Sequence, residues 1–306
     1  MIIIGAGMSG MLAGQHFRHM NPLIYEKQPS LPNNHKALLR FRSDAVSQLT
    51  GIPFKKVRVS KMINYKEQHL TESNMHLNNM YSQKVSGAIR ERSMGKLETC
   101  DRFIAPEDFI EQLSNGLNIE YNTDVSNLDF NTGEIIISTM PVTALADLIG
   151  YSLDTELKTK EIWTMRFNIS DFVDCDIYQT VYYPNPQLPL YRLSITGSSV
   201  IAEFCEDPVK WGGIHDISYN ICHFLYIDFG IKISSLSLSP QLHKTKHGKL
   251  IPCDGNEVKK FMQYATQEHN IYSLGRWGTH RQILMDDVVN DLKVIHKMIL
   301  SDNYSR

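Results

Sequence analysis

Residues 1–17 read MIIIGAGMSGMLAGQHF, and residues 21–26 read NPLIYE. Ile2, Ile3 and Ile4 are consecutive and β-branched, the pattern of a short strand buried on both faces. Gly5, Gly7 and Gly10 follow without a gap at the spacing G-x-G-x-x-G. In that spacing the first glycine permits the tight turn from strand to helix. The second lets the backbone approach a pyrophosphate, and the third lets the helix pack closely on the strand. Gly14, one helical turn later, keeps the packing face small. The helix start offers free N–H groups and the positive end of its dipole to phosphate. The second stretch supplies a turn and another strand ending at Glu26, 21 positions after Gly5, where an acid can accept hydrogen bonds from ribose hydroxyls. A glycine-rich helix start used only for packing does not explain Glu26. The opening reads as a dinucleotide site in an α/β domain.

The rest of the chain bounds what surrounds that site. At 306 residues it can hold one large domain or two interleaved ones. No basic leader precedes the first apolar run, which Gly5 and Gly7 interrupt, and ICHFLYIDFGI is too short for a membrane span and carries Asp228. Five scattered cysteines without a CxxC pair suit reduced thiols, so a cytoplasmic setting away from membranes is expected. The formal net charge is −2, yet Lys36 to Lys66 holds eight cations against one anion, Asp44. Such a run is either a solvated face or the footprint of a phosphate-bearing partner.

The far end separates FAD from NAD. Residues 271–300, IYSLGRWGTHRQILMDDVVNDLKVIHKMIL, read as a strand, Gly275-Arg276, a loop, and an amphipathic helix from about Met285. Asp286 and Asp287 fall in its first turn, where negative charge is favourable. Together with the N-terminal motif, this strand–GR–loop–helix resembles the flavoproteins grouped around amine oxidases, protoporphyrinogen oxidases and UDP-galactopyranose mutases. APEDFIEQLSNGLNIEYNTDVSNLDF (105–130) is similar to that group's helix and strand leading to an adenine-contacting valine, here Val125. GEIIISTMPVTALADLIG (133–150) is similar to the strand that returns the chain to the flavin domain. VYYPNPQLPLYRLSIT (181–196) resembles the sheet strands over the flavin in the mutase branch.

The resemblance implies an α/β fold. A Rossmann-type FAD-binding domain would be assembled from residues 1–64, 101–150 and 243–306, interleaved with a smaller mixed-sheet substrate domain from 65–100 and 151–242. It implies FAD as cofactor, with Gly5, Gly7, Ser9 and Gly10 at the pyrophosphate and Glu26 on the adenosine ribose. Val125 would face the adenine, Gly275 and Arg276 would close over the pyrophosphate and ribityl chain, and Lys27 and Thr139 would belong to the same site. Backbone N–H groups around Met285, Asp286 and Val288 would point at the flavin pyrimidine edge. The chain departs from the group after Glu26: a Gly-Gly pair is replaced by PSLPNNHKALLRFRS (29–43). Asn33, Asn34 and His35 are candidate contacts there, with Arg42 toward the cofactor and His35 and Arg40 toward substrate.

HKALLRFRSDAVSQLTGIPFKKVRVSKMI (35–63) resembles a block of phage-encoded FAD oxidoreductases, some associated with hypermodification of thymine in DNA. That resemblance implies a nucleic-acid partner and agrees with the basic run.

Other residues weigh as follows. His243 and His247 are spaced i, i+4, but Gly248 and the nearby lysines indicate a loop, no third ligand is evident, and no metal is expected. Cys222-His223 and Cys253 form no nucleophile pair. Tyr182, Tyr183 and Tyr191 alternate as in strands. Because aromatic side chains on that sheet wall the substrate cavity in the resembling group, Tyr183 and Arg192 are candidates. Trp277 and His280 fall in the loop beside the expected flavin, and His280 could exchange a proton with a substrate amine. The expected function is a FAD-dependent oxidoreductase acting on the C–N bond of a phosphate-bearing small-molecule amine, a modified nucleotide or a modified base in DNA. Two alternatives are a non-redox nucleotide-sugar mutase and a flavin-binding module without turnover.

Overall fold

The computed structural model describes residues 1–31, 40–89, 93–234 and 241–305, so Asn33, Asn34 and His35 lie outside the described residues. The chain divides into two compact units. The first takes residues 1–56, 102–157 and 253–306, and the second takes 57–101 and 158–252.

In chain order the elements are β1 (Ile2–Ile4), α1 (Met8–His16), β2 (Leu23–Tyr25), β3 (Arg40–Phe41) and α2 (Ala45–Thr50). The chain then enters the second unit through β4 (Lys55–Tyr65), β5 (Gln68–Leu70) and α3 (Met75–Ser86), and leaves it along β6 (Cys100–Ile104). Next come α4 (Phe109–Ser114), β7 (Asn118–Glu120), β8 (Ile136–Ser138) and α5 (Val142–Leu148). The longer insertion holds β9 (Thr159–Asn168), β10 (Ile177–Tyr182), β11 (Leu190–Gly197), β12 (Ser199–Phe204), α6 (Ile214–Phe229) and β13 (Gln241–Leu250). The closing segment is α7 (Asn256–His269), β14 (Ile271–Ser273), α8 (Gly275–Gly278) and α9 (Met285–Ser305).

The first unit is a Rossmann-like layer structure. Its five strands are all parallel, in the order β14-β8-β1-β2-β7. Alternation along a strand sends successive side chains to opposite faces, which divides the isoleucines. Ile3 joins Ile137 and Tyr272 in one core with Leu12 and Phe17 of the α1 region and Leu292 of α9. Ile2, Ile4, Ile136 and Ile271 join Val142 and Leu145 of α5 and Phe261 of α7 in the other. Each such side chain, fully buried, stabilises the fold by about 1.5–3 kcal/mol. β3 and β6 form a short antiparallel pair, Arg40 opposite Ile104.

The second unit is a mixed sheet in the order β13-β9-β12-β11-β10-β4, with β5 paired to β4. All its pairs are antiparallel except β10–β4. One face buries Leu193, Ile195, Val200 and Phe204 against Ile217, Ile221 and Leu225 of α6. The other packs Ile63, Tyr182 and Tyr191 against Leu77, Tyr81 and Val85 of α3. Lys84 pins α3 in place: its ammonium donates to the carbonyls of Tyr183 (2.7 Å), Asn185 (2.8 Å) and Leu190 (2.7 Å). Burial lowers the Lys84 amine to about 7.

The units' bounds differ from those the sequence reading set. Residues 151–157, expected in the substrate domain, belong to the first unit. Residues 57–64 belong to the second unit because β4 runs on into its sheet. Residues 243–252 belong there too. The HKTKHGK stretch is not a loop but part of β13, paired with β9 from Gln241↔Arg166 to Thr245↔Ile162 and again at Lys249↔Lys160 and Leu250↔Thr159, with a register shift between the two runs. His247 Nδ1 lies 2.8 Å from the Thr159 hydroxyl. Among the described residues no helix is long and apolar enough to cross a membrane.

Candidate functional site

In open parallel sheets ligands bind outside the carboxyl ends of the strands, and in the first unit the glycine turn lies at that edge. Gly5 leaves β1 with φ +94°, a left-handed conformation that glycine adopts without strain. Its N–H donates to Tyr25 O at 2.8 Å. Thr139, just past β8, donates to Ile4 O from both its N–H (3.0 Å) and its hydroxyl (2.8 Å). A Cβ on Gly5 would come within 2.4 Å of that hydroxyl oxygen, and a Cβ on Gly10 within 1.8 Å of Gly5 O. These two glycines are therefore required by the protein's own packing. Gly7 differs: a Cβ there would meet nothing within 4 Å. It borders open space at the helix N-terminus. The first helical bond of α1 runs from Met11 N–H to Gly7 O, so the N–H groups of Met8, Ser9 and Gly10 precede the ladder, as an anion-binding helix start needs.

Glu26 stands beside this turn. One carboxylate oxygen accepts from Ala6 N–H (2.7 Å) and the other from Gln28 N–H (2.9 Å). A carboxylate has about four lone-pair sites, so capacity remains for ribose hydroxyls while these two bonds fix its orientation. The strand line continues past Glu26, whose N–H donates to Glu120 O and whose carbonyl accepts from Thr123. That brings Val125 toward the same edge. It sits in a single 3-10 turn, Val125–Asn127, rather than a strand, and Asp124 caps that turn. Lys27 is not turned to the site: it pairs with Asp124 at 2.9 Å, with a side chain 74% exposed.

The C-terminal segment meets the same edge. Gly275 has φ +82°, and a Cβ there would lie 2.6 Å from Ser9 Oγ, so the starts of α1 and α8 touch at a point where only glycine fits. Gly278 packs as closely on Ser138 O, at 2.9 Å from its would-be Cβ. Arg276 donates to Ile283 O at 3.2 Å and Thr279 Oγ1 to Gly275 O at 2.7 Å, which folds the loop back on itself. His280 holds φ +45°, a left-handed conformation that costs a non-glycine residue about 1–3 kcal/mol and that recurs at functional positions. Trp277 is half-buried in α8.

Two expectations at this edge need correction. Val288 cannot offer its N–H, because that group donates to Leu284 O within the helix, as does the N–H of Asp287. Only the N–H groups of Met285 and Asp286 stand ahead of the ladder. The Asp286 carboxylate accepts from Arg42 N–H (3.1 Å), Ser43 N–H (2.8 Å) and Ser43 Oγ (2.6 Å), tying the chain after β3 to the start of α9. Arg42 completes this tie, its guanidinium 2.6 Å from Asp287. Its charge is neutralised within the protein. Nothing in the sequence linked Ser43 to Asp286, 243 positions away.

In the second unit, Tyr183 is not a cavity wall. It is fully buried among Leu193, Phe204 and α6, and its hydroxyl donates to the buried Asp228, which also accepts from Asn64 (2.7 Å) and lies 2.8 Å from His69 Nε2. Burial, then the Asp228 charge, holds its phenol well above the usual range. Arg192 lies one row before it on the opposite face of the sheet, paired across strands with Tyr182 and Glu203. A register shift between Leu190 and Arg192 lets the adjacent Tyr191 and Arg192 reach the same carboxylate. Arg192 grips Glu203 with two N–H groups, one at 2.7 Å, and Tyr191 OH donates to it at 2.8 Å. Burial pushes the Glu203 carboxyl up, but Arg192 and then Lys249 outweigh it and hold the group below the usual range.

Among the described residues the basic run does not form one patch. Arg42 is neutralised, Lys61 donates to Lys96 O at 3.3 Å, and Lys66 lies past the far end of β4. Lys55, Lys56 and Arg58 remain exposed. Arg40 sits on β3 opposite Ile104.

No family model matches this chain, and no curated protein matches it in sequence. Solved structures do share its fold. A reduced UDP-galactopyranose mutase superposes with a TM-score of 0.66 at 13% identity, covering 97% of this chain and 93% of the other. A protoporphyrinogen oxidase-like protein from Exiguobacterium sp. 255-15 gives 0.59 at 9% identity, with 98% of each chain covered. A redesigned putrescine oxidase gives 0.55 at 9% identity over 98% of each. The chain thus has the α/β fold of these proteins, a parallel Rossmann-like sheet with an interleaved mixed sheet.

Proposed function

We propose that this protein is a FAD-dependent oxidoreductase of the amine-oxidase-like kind, acting on a C–N bond of a phosphate-bearing substrate. The observation that carries the cofactor is the contrast among the glycines. Gly5 and Gly10 are filled against protein, whereas Gly7 leaves an open cradle at a helix start with Glu26 oriented beside it. The N–H groups of Met8, Ser9 and Gly10 would hold the pyrophosphate, and Glu26 the adenosine ribose. Gly275 and Arg276 would cover them, and the leading N–H groups of α9 would face the ring. Bound FAD would supply the two-electron acceptor for loss of hydride from the carbon beside nitrogen, with oxygen or another oxidant as the final acceptor. The chain's own contribution is to orient that carbon, exclude water and move one proton, which we assign to His280.

The phosphate on the substrate rests on Lys55, Lys56 and Arg58, three exposed cations within four residues. A modified nucleotide, or an unstacked modified base in single-stranded DNA, is the substrate they would favour. Binding should then weaken with salt, with a log–log slope of roughly −0.7 to −0.9 per phosphate contact. Changing the three to glutamate should flatten that slope without removing flavin.

The non-redox mutase reading has its own support in the 0.66 TM-score against a mutase. Oxygen uptake decides between them. The holoprotein is incubated with amino acids, polyamines and amine-bearing nucleotides, and substrate-dependent oxygen consumption is expected. Turnover of a nucleotide-sugar by pre-reduced protein, with no net oxidant consumed, would replace the oxidoreductase with the mutase.

A further inference from the structure

His280 is the strained point of the loop between α8 and α9, with φ +45° in a residue that carries a Cβ. Such a conformation persists only where neighbouring contacts over-determine it. Both neighbours of His280 are fixed. Thr279 is buried, and its N–H (3.1 Å) and hydroxyl (2.7 Å) both donate to Gly275 O. On the other side, Arg281 N–H donates to Arg276 O at 3.2 Å, and Arg281 O accepts from Ile283 N–H at 2.9 Å. Arg281 Nε donates to Thr279 Oγ1 at 3.1 Å, a side-chain bond that spans His280 from one neighbour to the other. Its guanidinium also donates to Asp291, six residues into α9. A planar guanidinium can hold both directions at once. Arg281 thus ties the Gly275-Arg276 turn and both flanks of His280 to the body of α9. Charge attraction is not the point of the pair with Asp291. Burial outweighs Arg281 and holds the Asp291 carboxyl above the usual range. The Arg281 side chain is 48% exposed, and pairs of that exposure add little to overall stability. What the pair does is place the guanidinium.

We propose that Arg281 is the positioning residue of this loop, holding His280 in its left-handed conformation and the Gly275-Arg276 turn in place over the cofactor. This rests on the reading above, in which the loop covers bound FAD and His280 carries a proton, and it assigns the residue that keeps both set. Arg281 acts through its neighbours and touches neither cofactor nor substrate.

Arg281→Ala tests this, alone and combined with His280→Gly, because glycine takes positive φ without strain. Amide exchange of residues 275–284 is followed in flavin-stripped protein, and FAD is titrated into the same samples by flavin fluorescence. Arg281→Ala should speed exchange of 275–284 by roughly tenfold, while β1 and β8 keep wild-type rates and the melting temperature moves by no more than about 2 °C. FAD should bind about three- to tenfold more weakly. Adding His280→Gly should recover about half or more of both losses, since the strain that Arg281 restrains is then gone. Wild-type exchange across 275–284 in Arg281→Ala overturns the proposal. So does a double variant that recovers nothing, or faster exchange that spreads into β1 and β8, either of which would make Arg281 a general support of the fold. Wild-type protein that takes up no FAD is a different failure: it removes the cofactor reading, while the exchange rates still judge the hold of Arg281 on His280.

Discussion

Replacing Gly7 and Gly10 separately by alanine should give opposite defects, although the two lie three residues apart in one motif. A Cβ on Gly10 would sit 1.8 Å from Gly5 O and 3.0 Å from Gly5 C. Both are backbone atoms of the turn, so no rotamer change relieves the overlap, and α1 must move away from β1. Overpacking of this kind costs about 3 kcal/mol or more, which should lower the melting temperature of the apoprotein by roughly 6–12 °C. Gly7 has φ −65° and open space around its would-be Cβ. The added methyl strains nothing in the protein, and melting should move by no more than about 2 °C. That methyl would instead occupy the approach to a pyrophosphate, and FAD affinity should fall at least tenfold, about 1.4 kcal/mol. Melting curves of flavin-stripped protein and FAD titrations on the same samples give both numbers. Wild-type FAD affinity in Gly7→Ala would refute the reasoning, as would a loss of apoprotein stability as large as that in Gly10→Ala.

Glu26→Ala removes two charge-assisted bonds, one to the N–H of buried Ala6 and one to the exposed Gln28 N–H, so apoprotein stability should drop by about 1.5–3 kcal/mol. FAD affinity should drop at least tenfold, and unchanged occupancy would mean that Glu26 is not the ribose ligand. Arg276→Ala should impair FAD binding more than Lys297→Ala, a change on the exposed side of α9; equal effects in a titration would argue against a flavin-covering loop. The Lys84 amine is lowered to about 7 in the folded protein from 10.5 in the open chain, chiefly by burial. Between those values the unfolded chain holds a proton that the folded one lacks, so this group's contribution to stability grows as pH rises through the window and is lost as pH falls to about 7. Denaturant melts at both ends of the window should show that rise in wild type and a smaller one in Lys84→Met; identical slopes would exclude it.

The parts of this molecule legible in its sequence are those whose physics is local. Three consecutive isoleucines, a glycine turn, and an acid after the next strand fix β1, α1 and β2 within 26 residues, and each constraint acts between near neighbours. The same holds for β14, the Gly275 turn and α9. The face on which Tyr183 lies was not local. Alternation separates Tyr182 from Tyr183, but only the docking of α6 decides which side becomes core. β13 has no apolar alternation to announce it. It becomes a strand because β9 offers an edge, and its lysines suit an outermost strand. Arg42 read as a free cation because its partners, Asp286 and Asp287, arrive from the other end of the chain.

What the first unit binds decides the function of the protein, and the absorption spectrum of the purified protein before and after denaturation tests this most directly. The glycine cradle, Glu26 and the Gly275-Arg276 loop call for a yellow protein that releases intact, non-covalent FAD when unfolded. A colourless protein that binds NAD(H) and cannot be reconstituted with FAD would contradict it.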